Sequence, residues 1–464
     1  MYKKQHIHFI GIGGIGMSGL AQVLLNLDYT VTGSDIRETA ITRSLSGLGG
    51  RIFKGHAPHH IQGADVVVTS SAVQDDNPEV RAARDAQIPV IPRAEMLAEL
   101  MRLKKYGIAV AGAHGKTSTT SIISSVLNAG GLDPTIIIGG QVKGLGTNAY
   151  WGQGEFLLAE ADESDGSFLR LTPSIAVVTN IDREHLDHYP DLHSIRGCFL
   201  EFIDKIPFYG LAILCGDDPV LADIIPEIEK QVMTYGTGPH CDLQARDIAY
   251  QGLGIAYNAV WKGRELGPVR VYAPGLHHVR NSLAALAVGL ELDIPFSRIQ
   301  EGLQAYKGVG RRFEILGEKD GIIIVDDYAH HPTEIRATLS AARAAWPEQR
   351  LVVLFEPHRY SRTQALMDEF SEAFLDADEL WLSDIYPASE TPIIGVTGER
   401  LAREIRKKQG GRVHYMKSCA DLPKAVAARL EQGDVVLTLG AGSIGSAGRT
   451  LLELLDIEES AVAV

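Results

Sequence analysis

Residues 106–131 read YGIAVAGAHGKTSTTSIISSVLNAGG, and this stretch decides the fold. It opens on a short apolar run from Ile108 to Val110, passes through a glycine loop, and continues as a helical pattern. A strand that enters a helix through such a loop offers backbone N–H groups and the positive end of the helix dipole to an anion. Gly115-Lys116-Thr117 is the ending of a phosphate-binding loop, in which the lysine reaches terminal phosphates and the hydroxyl binds Mg²⁺. The usual form has a glycine five residues before Gly115, where this chain has Val110. Gly112 is the nearest upstream glycine, so the loop has a compact G-x-x-G-K-T form. A GKT tripeptide alone means little. Its place between strand and helix favours phosphate binding.

The same alternation recurs on both sides. Upstream, HIHFIGIGGIGMSGLAQVLLN (6–26), VTGSD (31–35), ADVVVTSS (64–71) and IPVIPRAEMLAELM (88–101) read as strand, turn and helix units. The basic run Arg102 to Lys105 reads as a connector. Downstream, EFLLAEADESD (155–165) and SIAVVTNID (174–182) are buried-strand runs ending in polar residues, where parallel sheets place ligands. Residues 240–275 suggest short antiparallel strands inserted into this unit, and NSLAALAVGLELDIP (281–295) is helical. KGVGRRFE (307–314) marks the next boundary. A third α/β unit runs through GIIIVDDYAHHPTEIRATLSAARAAW (321–346), RLVVLFEPHRYSRT (350–363) and DVVLTLGAGSIGSAG (434–448).

At 464 residues the chain suits about three domains of roughly 150 residues each. Hydrophobic residues at 45% and charged residues at 22% describe a soluble globular protein. A net charge of −14 argues against nucleic-acid binding, which draws its affinity from neutralising phosphates. The four cysteines (Cys198, Cys215, Cys241, Cys419) form no C-x-x-C pair and read as free thiols in a reducing compartment. With no signal-like or membrane-spanning run in the sequence, a cytoplasmic protein without membrane contact is expected.

Gly11-x-Gly13-x-x-Gly16, with Asp35 about twenty residues on, is a dinucleotide-type fingerprint. The C-terminal GAGSIG (440–445) has the same spacing, but packing is its expected role. Glu160, Asp162, Glu163 and Asp165 would be a solvated acidic turn, except that a Mg²⁺·nucleotide site needs a carboxylate near Thr117. In His185-Leu186-Asp187-His188, His188 reads as a surface histidine. The His pairs at 59–60, 277–278 and 330–331 lack the spacing of a zinc site. His331-Pro332-Thr333-Glu334 is a helix start with His331 as a possible cap, and Leu366, Phe370 and Phe374 have core spacing. Arg359 and Arg362 share one turn after a strand. They would clamp a carboxylate or take part in surface salt bridges, and spacing alone leaves both readings open.

Three α/β units, the glycine turn, the compact loop, TNIDREHLD (179–187) and DDYAHHPTE (326–334) together resemble the Mur ligases of bacterial peptidoglycan synthesis. The likeness spans nearly the whole chain, with the motifs in family order. It implies a Rossmann-like first domain (1–103) binding UDP-N-acetylmuramate. There Gly13, Gly14, Ile15 and Gly16 would meet the diphosphate, Asp35 the uridine, with Ser70 and Ser71 close by. It implies a P-loop ATPase-type central domain with a parallel sheet (104–310). Gly112, Ala113, His114, Gly115, Lys116, Thr117 and Ser118 would bind ATP, with Asn281 and Arg312 on the nucleotide and Asp327 near its ribose. Thr117, Glu160 and His185 would hold Mg²⁺, for which Mn²⁺ is a possible substitute. A Rossmann-like α/β third domain (311–464) would present Tyr328, His358, Arg359 and Arg362 to an amino acid.

The catalytic set so implied is Lys116, Glu160, His185 and His358, the last as base for the amine. FEPHRYSRT resembles the branch that adds L-alanine. The branch that recycles murein tripeptide shares the loop and AHHPT but lacks such a run. The implied reaction passes through an acyl phosphate, with neither NAD nor zinc, in a monomer or homodimer. Two readings from other classes compete: an NAD(P) oxidoreductase built on GIGGIG, and an ATP-dependent switch. The chain also departs from the family pattern. Ala113 stands where Thr or Ser is usual, and His278 where Asn is usual. IRGCFLEF (195–202) has no lysine for the carbamylation found in sister ligases.

Overall fold

The computed structural model describes residues 5–70, 72–142, 147–185, 188–410 and 412–462. Among these, strands of three or more residues form three main sheets, one for each α/β segment. The first is wholly parallel, in the order Arg51–Lys54, Thr30–Asp35, His6–Ile10, Val66–Thr69, Val90–Pro92. This is a Rossmann-like arrangement. The chain reverses direction across the sheet beside His6–Ile10, so the glycine turn at its carboxyl end faces the crevice where such sheets bind ligands. The edge strand Arg51–Lys54 has only half-buried and exposed residues and no apolar alternation that would announce it.

Tyr106–Ala111 lies inside a ten-stranded sheet among the described residues, flanked by Ile175–Val178 and Phe156–Glu160. Ile108, Val110, Ala176, Val178, Leu157 and Ala159 are fully buried, as expected of parallel strands covered on both faces. The sheet is not parallel throughout. Residues 240–275 form the expected antiparallel strands and join this unit's sheet: Leu243–Gln251 pairs parallel with Val232–Gly236, then Gly254–Trp261 and Arg264–Val271 extend the sheet antiparallel. At the other edge Thr147–Tyr150 runs antiparallel to Thr135–Val142.

The third sheet carries Glu314–Lys319 antiparallel on its edge. Ile322–Asp327, Val435–Leu439, Leu351–Phe355, Glu379–Leu382 and Val413–Tyr415 follow, all parallel. Leu366, Phe370 and Phe374 are buried in its core. At the C-terminal glycine turn Glu356 accepts from Ser443 Oγ at 2.6 Å and from Ile444 N at 2.9 Å. The protein's own carboxylate fills that turn.

One apolar cluster runs through the first and second units, joining Met17, Leu20, Leu24 and Met101 to Ile108, Leu127 and Phe199. The third unit has separate clusters on the two faces of its sheet. The connector is anchored as well. Lys104 Nζ donates to Gly152 O at 2.6 Å and Gly154 O at 2.8 Å, and lies 4.0 Å from the centre of the Trp151 ring. No helix among the described residues is long and apolar enough to cross a membrane.

Candidate active site

The compact loop is shaped by its two glycines and clamped by the neighbouring strand end. Gly112 has φ 132°, and a Cβ there would stand 2.1 Å from Thr179 Oγ1. Only glycine fits. Asn180 ties the loop down at three points. Its Oδ1 accepts from His114 N at 2.8 Å, its Nδ2 donates to His114 O at 2.9 Å, and its backbone carbonyl accepts from Ala113 N at 3.1 Å. Gly115, at φ 81°, caps the helix Lys116–Ala129. Asn281 supports it from behind, since a Cβ on Gly115 would lie 3.1 Å from Asn281 Oδ1. Ser118 is buried in the first helical turn.

Lys116 curls over its own loop. Nζ donates to Gly112 O at 2.7 Å, Ala113 O at 3.3 Å and Glu163 Oε1 at 2.8 Å. Burial works to lower its pKa, but Glu163, Asp162 and Glu160 outweigh burial and raise it, so the amine stays charged. Thr117 Oγ1 donates to Glu160 at 3.0 and 3.1 Å, and Gly139 N donates to the same carboxylate at 2.7 Å. His185, at φ 54°, brings Nε2 to 3.4 Å from Glu163 and 3.6 Å from Glu184. Leu186 and Asp187 lie outside the described residues. Glu163 Oε2 is buried with no hydrogen-bond partner among the described residues. Thr117 with Glu160, and His185 with Glu163 and Glu184, form two groups along one cavity. Such a hydroxyl, carboxylate and imidazole lining with one orphaned oxygen suits a hard divalent cation.

The third unit closes on the loop through His114, which the resemblance placed among the ATP-binding residues. Its Nε2 bonds to Asp182 at 2.9 Å and its Nδ1 lies 3.3 Å from Glu334, which belongs to the helix Pro332–Ala345. Burial works to lower the His114 pKa, but the Asp182 hydrogen bond and Glu334 lift it to about 10. Thr333 Oγ1 also donates to Asp182, at 2.7 Å. Arg362 Nε donates to Glu184 at 3.0 Å, and Nη2 reaches its other oxygen at 3.3 Å. Burial works against the Glu184 charge, but Arg362 holds its carboxyl well below the usual range. His331 caps its helix, accepting from Thr333 N at 3.3 Å. His114, Asp182 and His331 come together from distant sequence positions, with ligand atoms within 4.8 Å of one another.

The other expected residues fall in two groups. Tyr328, His358, Arg359 and Arg362 all line one cavity, with Arg312 stacked 5.0 Å over Tyr328. Burial, with help from His330, Arg362 and Arg359, pushes the His358 pKa down to about 3. Asp327, expected near the ribose, is bound to the backbone. It is buried, its oxygens accept from Phe313 N at 2.6 Å and Ala329 N at 2.7 Å, and it orders the turn that presents Arg312. Burial raises its pKa to about 6. His278 is a core residue, its Nδ1 bonded to Pro274 O at 2.7 Å.

At the first sheet Gly13 N donates to Asp35 Oδ2 at 2.9 Å, which shapes the glycine turn. Gly14, Ile15, Gly16, Asp35 and Ser70 line the same cavity, and Ser71 lies outside the described residues. His60 of the 59–60 pair is satisfied by Glu79 at 2.7 Å. The cavity, of about 1940 Å³, runs from the glycine turn past Lys116, Thr117 and Glu160 to His358, Arg359 and Arg362. Glycine turn, phosphate loop and arginine turn therefore open on one space.

Family models described as Mur ligase family catalytic domain, Mur ligase middle domain and Mur ligase glutamate ligase domain match residues 6–105, 110–289 and 311–442. The chain belongs to the Mur ligase family. It is 57% identical to the UDP-N-acetylmuramate–L-alanine ligase of Trichlorobacter lovleyi, over 97% of this chain and 99% of that one. It is 56% identical to the enzyme of that name from Geobacter sulfurreducens, over 98% and 99%. The crystal structure of UDP-N-acetylmuramate–alanine ligase from Thermotoga maritima superposes with a TM-score of 0.83 at 28% identity, covering 98% of this chain and all of the other. A murein peptide ligase from Psychrobacter arcticus shares the fold, with a TM-score of 0.71 at 24% identity over 97% and 98% of the two chains.

Proposed function

We infer that the chain is an ATP-dependent ligase joining L-alanine to the lactyl carboxylate of UDP-N-acetylmuramate, with release of ADP and phosphate, in peptidoglycan precursor synthesis. The observation that carries the reading is the single cavity onto which glycine turn, Lys116 loop and arginine turn all open. We take the working units as 1–103, 104–310 and 311–464.

The glycine turn and Asp35 bind the UDP-sugar and direct its carboxylate toward the phosphate loop. Lys116 exchanges Gly112 O, Ala113 O and Glu163 for phosphate oxygens of ATP. Thr117, Glu160 and His185 would hold Mg²⁺, or Mn²⁺ in its place, which when bound neutralises phosphate charge and orients the γ-phosphate. The substrate carboxylate attacks that phosphorus, giving an acyl phosphate and ADP. Arg359 and Arg362 pair with the carboxylate of L-alanine, whose neutral amine attacks the acyl carbon and expels phosphate. Arg362 must therefore loosen from Glu184 to reach the amino acid.

His358 is neutral at physiological pH and can accept the ammonium proton. With a pKa of about 3 it holds that proton poorly, so phosphate oxygens or water complete the transfer. Closure of the third unit excludes water from the acyl phosphate. Neither NAD nor zinc has a part in this chemistry. The reading places the enzyme in the cytoplasm as a monomer or homodimer, without nucleic-acid or membrane partners.

The test is phosphate release from Mg·ATP with UDP-N-acetylmuramate, with and without L-alanine, together with mass spectrometry of the product. Release that needs both substrates, with the mass of UDP-N-acetylmuramoyl-L-alanine, is expected, and Lys116→Ala abolishes it. Turnover with murein tripeptide alone would move the chain to the other branch.

A further inference from the structure

Arg93 has no role in the reading above, yet it stands where the two nucleotide sites meet. It opens the helix Arg93–Met101 directly after Pro92. The first turn of a helix favours acidic side chains, so an arginine there adds a guanidinium to an end that is already electropositive. That guanidinium lies on the glycine turn. A Cβ on Gly16 would meet Arg93 Nη1 at 2.9 Å and Cδ at 3.1 Å, so Gly16 is small partly to seat the arginine.

The present partner of Arg93 is an anion from the next unit. Nη2 donates to Asp162 Oδ2 at 2.8 Å, and both side chains line the large cavity, partly exposed to it. An ion pair open to water contributes little, so a multiply charged ligand displaces the carboxylate readily. Asp162 also lies in the field of Lys116.

Resting on the proposed function, we propose that Arg93 is a substrate-binding residue for the diphosphate of the UDP-sugar, with Asp162 as the counter-ion it leaves when that substrate arrives. The exchange links the sites. Substrate on Arg93 frees the Asp162 carboxylate, whose charge acts on Lys116.

Calorimetric titration of the full chain with uridine, UMP, UDP and UDP-N-acetylmuramate tests this. The wild type is expected to gain affinity from uridine to UDP. Arg93→Ala weakens UDP and UDP-N-acetylmuramate by about 10- to 100-fold, the loss expected for a charge-assisted hydrogen bond, and leaves uridine and ATP unchanged. Arg93→Lys recovers part of the loss, and Asp162→Asn tightens UDP. Thermal melting of each variant separates misfolding from lost contact. UDP affinity in Arg93→Ala within twofold of wild type would overturn the proposal, as would equal weakening of uridine and UDP. If the wild type binds ATP but no UDP compound, the functional reading falls first and the proposal falls with it.

Discussion

Two interfaces converge on the phosphate loop, and they are built from opposite chemistry. Between the first and second units the contact is mainly apolar, with the Arg93–Asp162 and Arg170–Glu95 ion pairs at its margin. Helix Ile15–Asn26 packs on the edge strand Thr147–Tyr150 so closely that a Cβ on Gly19 would sit 3.3 Å from Ala149 Cβ. The apolar cluster continues across without a break. Between the second and third units the contacts at the site are ionic: His114 with Asp182 and Glu334, Thr333 with Asp182, Arg362 with Glu184, and Arg183 with Glu369 at 3.3 Å. Apolar contact there is slight, as where Gly275 meets Ala341.

Parting apolar surfaces costs roughly 25 cal/mol per Å², with nothing in water to replace the lost contact. Ion pairs and hydrogen bonds at a surface exchange for water at little net cost. The first seam is therefore expected to stay fixed, and the second to open and close on the loop. A reaction that gathers three substrates and then excludes water needs one interface of each kind.

The largest expected effect comes from breaking the ionic seam at its most buried pair. Arg362→Ala leaves Glu184, with its side chain only 7% exposed, without its counter-ion. Stranding a buried charge costs about 3–5 kcal/mol, which corresponds to a fall in kcat/KM of about 10²- to 10⁴-fold. The melting transition of the first two units should not move. A fall of less than tenfold would mean that Arg362 neither balances Glu184 between turnovers nor holds the amino acid during them.

The apolar seam is broken from within by Leu24→Ala. Leu24 is fully buried in the shared cluster, and such truncations cost about 2–5 kcal/mol. Calorimetry should show the first two units melting together at a lower temperature, with turnover below that temperature retained. Two separate transitions for these units would show that the seam is weaker than the ionic one.

The contrast also explains what the sequence made legible. The phosphate loop was readable because strand, glycines and helix are contiguous, and the same holds for the capping motif at His331 and the core spacing of Leu366, Phe370 and Phe374. The ionic seam was not. Asp182 and Thr333 are 151 residues apart and Glu184 and Arg362 are 178 apart, so only folding pairs them. Within EADESD, spacing gave no way to tell that Glu163 faces Lys116 while Glu160 faces Thr117. Asp327 belongs to the DDYAHHPTE motif, but spacing did not show that its oxygens accept from Phe313 N and Ala329 N. The edge strand Arg51–Lys54 was missed because nothing on it is fully buried.

A pH titration sharpens the comparison further. His114 has its pKa raised from 6.5 to about 10, so it is charged when folded and closed. Its contribution is fully present below pH 6.5 and is lost as pH rises through about 10. Asp182, Glu184 and Glu334 have depressed values, so their contribution is present above the ordinary carboxylate range and survives mild acid. Small-angle scattering should report a compact chain from pH 7 to 9 and a larger radius of gyration above 10. His114→Gln should remove that upper transition. Expansion that persists in His114→Gln would assign the change to another group.

The smallest effect should come from Thr333→Val, which keeps the shape of the side chain and deletes one hydrogen bond. Asp182 loses the hydroxyl at 2.7 Å but keeps His114 at 2.9 Å, so no charge is stranded. The loss is then an ordinary one of about 1 kcal/mol, or roughly fivefold in kcat/KM. Thr333→Ser should restore it. Because the bond exists only when the third unit rests on the loop, affinity for UDP-N-acetylmuramate measured without ATP should stay unchanged. If that affinity weakens as much as turnover does, Thr333 acts through the fixed units, and the division between a rigid apolar seam and a mobile ionic one does not hold at this position.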